Sequence, residues 1–414
     1  MRQRLRNQFF FSAKFLFILA VLLATCTPRI RPIESIPTVD RAATDETKAL
    51  FINLWTLGRT NHTLFGHQDT TLIGVGWIGE PGRSDVLEVT GQYPAVCGWE
   101  IGGIGTGSAT SVDGPTFGDI RREIITAYQR GGVNTISWHM FNPVTGGNFY
   151  DLEGNAAFTI LPGLSHHDVF LEYLDRVADF LLSLRSPPTP WNPEEHLVPV
   201  IFRPFHKHNG SWFWWGGSNS TEPIYKSTFQ FIVAYLRDER GVHNLLYAYS
   251  PDTRGLPIGR TIDIFPEDHD AFRRAYFYGY PGDDYVDIFG MENYAHVEIR
   301  SQPHFQKSLE LLTAFAHSRA EMKITALTES GHIRRPAVDW WTNFFELSVR
   351  NARITGQGQV AYALFWRNWD AEHYEVPFDP ESAEGRNLAE MADGPIIDLQ
   401  DDIGIDLYVW PPGR

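Results

Sequence analysis

The chain of 414 residues is 43% hydrophobic and only 21% charged, which supplies a core for one large domain or two small ones. Its formal net charge of −15, with no basic stripe, excludes a nucleic-acid backbone as partner. Aromatic residues make up 14% and there are 13 tryptophans, a composition that suits flat apolar sugar faces or a large aromatic core.

In chain order, Arg2, Arg4, Arg6 and Lys14 precede the apolar run 15–24. That run is too short for a bilayer, which takes about 20 residues, and it predicts a signal peptide over residues 1–25. Its end, Leu23-Ala-Thr-Cys26, resembles a bacterial lipobox. The expectation is an exported protein held at the cell envelope by a lipid on Cys26, with plain secretion as the alternative. Only Cys97 then remains, so neither an intramolecular disulfide nor a cysteine metal site is possible. Residues 26–45, with prolines and mixed charges, read as a flexible tether.

No repeat or linker interrupts residues 46–414. Candidate strands fall at His62–Asp69, Tyr93–Glu100, Val133–Met140, Leu197–His206, Asn244–Pro251, Tyr285–Tyr294, Lys323–Ser330 and Val360–Trp369. Between them Phe117–Arg130, His166–Arg185, Thr221–Arg240, Phe305–Ala320 and Val338–Ala352 repeat apolar residues at three- and four-residue steps, the helical period. Alternating β and α units predict an α/β protein, a single (β/α)8 TIM barrel. A doubly wound open sheet is the alternative, but it lacks the glycine-rich first turn.

Nearly every candidate strand ends in polar or aromatic residues: Gln68 and Asp69, Trp99 and Glu100, His139, His206 to Asn209, Asp252, Tyr294, Glu329, Trp366 and Arg367. Barrel enzymes keep their catalytic groups at these ends. The densest stretch is Arg203-Pro-Phe-His-Lys-His-Asn-Gly-Ser-Trp-Phe-Trp-Trp-Gly216, where the hydrophobic run 197–202 switches abruptly to charge and aromatics. A retaining glycosidase needs two carboxyl groups on different strand ends, a nucleophile and a general acid/base. Glu329, closing the apolar run 324–328, is the candidate nucleophile; a salt-bridged or helix-capping glutamate is the plain alternative.

Several motifs in order resemble glycoside hydrolase family 26, chiefly β-mannanases: Phe65-Gly-His-Gln-Asp69, Tyr93-Pro-Ala-Val-Cys-Gly-Trp99, Ser137-Trp-His-Met-Phe-Asn-Pro-Val-Thr-Gly-Gly147, the stretch from Arg203, Gly290-Met-Glu-Asn-Tyr294, Ile324-Thr-Ala-Leu-Thr-Glu-Ser-Gly331 and Ala363-Leu-Phe-Trp-Arg-Asn-Trp369. The resemblance implies Glu329 as nucleophile, Tyr294 as its hydrogen-bond donor, Trp366 as platform beneath the −1 sugar, and His139 and Trp212 at the same subsite. His206, Asn209 and Arg367 are implied as further substrate contacts, while Phe213, Trp214 and Trp215 suit core packing. It implies no cofactor or metal, a monomer, and mannan, glucomannan or galactomannan and their oligosaccharides as partners. A metal site of His206 and His208 with His67 and His139 is the alternative use of those histidines.

Two positions depart from the family. Glu292 stands where an aspartate is commoner, and Lys207 stands where the family carries its acid/base glutamate. An ammonium with an ordinary pKa near 10.4 is a weak acid and, while protonated, no base. Its flanking residues His206 and His208 should point to opposite faces of an extended strand, so neither replaces it. The chain therefore reads as an endo-β-1,4-mannanase impaired at Lys207, or as a mannan-binding pseudoenzyme, or as a sibling specificity such as a β-glucanase, a xylanase or a mannobiose-releasing exo-enzyme. An altered residue in an ordinary mannanase and an unusual mechanism are the other readings of Lys207.

Overall fold

A computed structural model describes residues 36–188, 194–217, 219–253, 269–294, 302–331 and 337–411. The expected signal peptide, Cys26 and the first part of the expected tether lie outside them. Eight parallel strands form one sheet that closes on itself: β1 (Thr63–Gln68), β2 (Val96–Glu100), β3 (Val133–Ser137), β4 (Val200–Arg203), β5 (Leu245–Tyr249), β6 (Ile288–Asn293), β7 (Ile324–Ser330) and β8 (Tyr362–Phe365). The β8–β1 pairing Leu64↔Tyr362 to His67↔Phe365 completes the barrel, and the short strand Ile397–Asp398 adds to the start of β1. Each strand is buried along its whole length, as a barrel filled inside and covered outside by helices requires.

The helices follow the sequence periodicity. Phe117–Gln129 buries Ile120, Ile124, Ala127 and Tyr128 on one stripe, and the Thr116 hydroxyl caps its start by accepting from Asp119 N–H. Phe170, Tyr173, Leu174, Val177, Ala178 and Leu181 form the buried stripe of His167–Leu182. Expected stretches 221–240 and 338–352 include π-helical turns at Tyr235–Glu239 and Trp341–Glu346. Helices Asp45–Leu57, Asp85–Thr90, His269–Tyr276 and Ala383–Ala392 had no counterpart among the stretches read from the sequence.

The described part of the expected tether is not free. Ile36 and Val39 are buried, Val39 N–H donates to Asp287 Oδ1 (2.8 Å), and His243 Nδ1 lies 2.8 Å from Asp40 Oδ2. These contacts fall just before β5 and β6, so residues 36–45 cover the barrel's N-terminal end. The isolated apolar residues among the prolines are what anchor them there.

Candidate active site

Arg203, the last residue of β4, is almost wholly buried. A buried guanidinium needs buried counter-charges, and two strands supply them. Its Nη1 donates to Glu292 Oε1 on β6, and its Nη2 donates to Glu329 Oε2 on β7 at 2.7 Å. The two carboxylates are neighbours because the β6–β7 register shifts: Met291 pairs with Leu327, but Glu292 pairs with Glu329, leaving Thr328 as the extra residue. Such a bulge re-aims the side chains that follow it. Gly331 follows β7 where a Cβ would lie 2.5 Å from the Tyr294 ring, so only glycine lets Tyr294 close over the site. Tyr294 Oη then donates to Glu329 Oε1 at 2.6 Å.

Lys207 completes the cluster. Its Nζ donates to Glu329 Oε1 and lies 3.1 Å from Glu292 Oε2, with the Tyr294 and Trp366 ring centroids 5.0 and 5.6 Å away. The extended strand expected through His206 stops at Arg203 instead. Phe205 and Lys207 take positive φ (50° and 54°), a left-handed conformation that costs a non-glycine residue about 1 kcal/mol or more. The turn is held by Lys207 N–H on the Ser250 carbonyl (2.9 Å). His206 and His208 still diverge from Lys207, but because of this turn rather than strand alternation. His206 Nε2 meets His139 Nε2 at 3.2 Å, whereas His208 Nε2 lies 2.7 Å from the Tyr278 carbonyl oxygen and its ring stacks on Tyr225.

These positions set the charges. Burial alone would raise the Glu329 carboxyl, but Lys207 and Arg203 outweigh it and hold the group down at about 2. Burial and the neighbouring Glu329 push Glu292 up to about 7 despite Arg203 and Lys207. For Lys207 burial favours the neutral amine, yet Glu329 and Glu292 prevail and raise it above its ordinary value. Burial, then Arg203, His139 and Lys207, push His206 well below its usual range, so it is a neutral imidazole.

Above the cluster opens a cleft of about 710 Å³ lined by His139, Lys207, Trp212, Tyr294, Trp366 and Arg367 together with Val112, Asp113, Phe149, Tyr150 and Phe213. A cavity of similar size at Tyr128, Arg130 and Tyr408 contains none of the candidate site residues. Glu100 fixes His139, with Oε2 at 2.8 Å from its Nδ1 and Oε1 accepting from its backbone N–H at 2.7 Å. That contact makes Nδ1 the protonated nitrogen and turns Nε2 toward His206 and the cleft. Arg367 pairs with Asp113 (2.7 Å) and lies over Trp369.

Two expected substrate contacts, Asn209 and His206, are not among the residues lining the cleft. Asn209 is buried, its amide exchanging hydrogen bonds with the Asp252 backbone, so it braces two loops instead of facing a ligand. His206 is fully covered beneath His139. Trp214 and Trp215 are core supports, their indole N–H groups donating to the Met140 and His206 carbonyls. Phe213 both packs on Trp215 and reaches the cleft. Sequence reasoning missed Asp113, Phe149 and Tyr150, which arrive on loops without a strand signal, and it missed the part played by Arg203.

The four histidines weighed as a metal site form no ligand set among the described residues. His206, Glu292 and Glu329 do bring ligand atoms within 4.8 Å of one another. Arg203 and Lys207 already neutralise those carboxylates and would repel a cation, so the donors do not suit a metal.

Comparison with known proteins identifies the family. A mannan endo-1,4-beta-mannosidase of Bifidobacterium adolescentis is 33% identical over 386 residues, 86% of this chain and 35% of that protein. One from Bacillus subtilis is 31% identical over 221 residues, 50% of this chain and 52% of that protein. The chain thus spans about a third to a half of the curated relatives it matches. Among solved structures, a GH26 beta-mannanase from Bacteroides ovatus superposes with a TM-score of 0.77 at 34% identity, covering 90% of this chain and 99% of that one. A modular endo-beta-1,4-mannanase from Cellulomonas fimi gives 0.75 at 32%, covering 89% and 78%. With the family model matched over residues 39–368, the chain belongs to glycosyl hydrolase family 26.

Proposed function

We propose that the chain is a retaining glycoside hydrolase of the endo-β-1,4-mannanase type, acting on mannan, glucomannan or galactomannan, and that Lys207 strongly impairs its hydrolysis. The observation that carries this is the Lys207 ammonium seated on Glu329 Oε1. In a retaining reaction one carboxylate attacks the anomeric carbon while a second group protonates the leaving oxygen and later deprotonates water. Glu329 suits the first role: it is ionised and held from two sides by Arg203 and Tyr294. Lys207 suits neither half of the second, because its neighbours keep the proton on it. It also occupies the oxygen that Tyr294 binds, leaving Glu329 fully covered. Attack requires that this charge-assisted bond, about 1.5–3 kcal/mol, be released.

His139, Trp212, Tyr294, Trp366 and Arg367, expected to bind sugar, line the cleft, with Trp366 within 5.9 Å of His139. This aromatic and polar wall beside a capped nucleophile favours a second reading, a pseudoenzyme that captures manno-oligosaccharides. Product analysis on mannan beside Lys207→Glu, with calorimetry on mannohexaose, separates the two. Slow cleavage restored by the substitution supports the first, and binding with no cleavage in either form supports the second. No affinity for any manno-, gluco- or xylo-oligosaccharide removes both. We also propose a monomer, exported through residues 1–25 and lipid-anchored at Cys26, export and anchor resting on the basic N-terminus, the apolar run 15–24 and the Leu23-Ala-Thr-Cys26 end. Loss of fatty-acid labelling in Cys26→Ala, with no labelling change in Cys97→Ala, is the expected result.

A further inference from the structure

Glu292 touches no ligand surface, being fully buried below the cleft, yet its two oxygens are used differently. Oε1 accepts from Arg203 and from Ser250 Oγ (2.9 Å). Oε2 accepts no hydrogen bond among the described residues and has the Lys207 ammonium 3.1 Å away as its ion partner. A buried carboxylate oxygen with no hydrogen bond is a costly arrangement unless a charge compensates it. We propose that Glu292 is a positioning residue, the second counter-ion of Lys207, which draws the ammonium to a point between β6 and β7 and so keeps it across Glu329 Oε1.

Thr328, the extra residue in the register, puts Glu292 directly beside Glu329, so a side chain of glutamate length meets Arg203 with one oxygen and Lys207 with the other. With Glu292 ionised the cluster holds two cations and two carboxylates and is balanced. Without the Glu292 charge Lys207 has Glu329 as its one remaining partner in the cluster, and the floor of the cleft becomes net positive. Positions 207 and 292 therefore act as a matched pair. The inference needs no sugar, so its failure leaves the mannanase reading standing, and the reverse also holds.

Thermal unfolding of Glu292→Gln in two backgrounds, above pH 7 where Glu292 is ionised, tests it. With Lys207 present the substitution removes an attraction, and with Lys207→Glu it removes a repulsion. The midpoint change caused by Glu292→Gln should be several degrees more favourable in the Lys207→Glu background, and equal changes in the two backgrounds overturn the pairing. A rescue experiment stands beside this cycle in case a variant fails to fold. Glu292→Ala leaves room for formate, which should raise its midpoint by several degrees and raise that of Lys207→Met/Glu292→Ala much less. Equal stabilisation by formate in both variants assigns the carboxylate site to Arg203 alone and refutes a role for Lys207.

Discussion

Replacing Lys207 by glutamate is the perturbation that bears most directly on mechanism. A glutamate ends about where the lysine Cε stands, so its carboxyl would face Glu292 Oε2 and Glu329 Oε1, the two oxygens now nearest Nζ. That separation approaches the roughly 5–5.5 Å of a retaining pair. The cluster changes from two cations and two carboxylates to three carboxylates around Arg203. Two like charges 4 Å apart at an effective dielectric of about 20 repel by about 4 kcal/mol, enough to keep one proton among the three near neutral pH. That shared proton is what a general acid requires, and the same carboxylate can afterwards take a proton from water. Each restored role is worth about 10² to 10⁴, so initial rates of reducing-sugar release from mannan should rise by at least about 10². Stability should move the other way, because removing one partner of a buried ion cluster costs up to about 3–5 kcal/mol, softened here as Glu292 takes up a proton. A variant that binds mannohexaose normally and unfolds earlier but hydrolyses no faster than the parent would sink the assignment of position 207. So would a parent that already matches it.

The barrel was legible because its signals are local. Buried strands appear as apolar runs ending in polar residues, and helices such as His167–Leu182 show a clean stripe. Helix Asp45–Leu57 escaped notice because Ala49, Leu50, Phe51, Ile52 and Leu54 are all buried, so apolar residues surround the axis and blur the period. The site divides along the same line. Glu329, Tyr294, Trp366 and His139 stand on strand ends and could be located by pattern, whereas the burial of Asn209 follows from the Asp252 loop and could not. The role of Glu292 is not legible in the sequence because its partners Arg203 and Lys207 lie some 85 residues earlier, and nothing local announces the register shift that puts it beside Glu329. A buried arginine at the end of an apolar strand was the one available clue, since it demands counter-charges that only another strand can supply.

Trp366→Ala should abolish measurable mannohexaose binding by calorimetry, since stacking supplies affinity that does not depend on the acid; unchanged affinity would move the −1 platform elsewhere. With an aryl β-mannoside, whose leaving group departs unprotonated, Glu329 can attack once Lys207 is displaced, giving a burst of phenol and then slow turnover that azide accelerates through a glycosyl azide. The absence of both the burst and the azide effect is incompatible with Glu329 as a working nucleophile in this chain. Acid stability offers a test that needs no substrate. Glu329 has a folded value near 2 against an ordinary 4.5, so it contributes stability above pH 4.5 that is lost as pH falls toward 2, about 3 kcal/mol in all. Glu292, raised to about 7, works in the opposite sense, its contribution being complete below pH 4.5 and lost as pH rises toward 7. Unfolding free energies from urea titrations between pH 2.5 and 7.5 should therefore lose much of their acid slope in Glu329→Gln, and become more favourable at pH 7 relative to pH 4.5 in Glu292→Gln. If the acid slope is the same in Glu329→Gln as in the parent, Glu329 is not held ionised by Lys207 and Arg203, and the account of a pinned nucleophile fails with it.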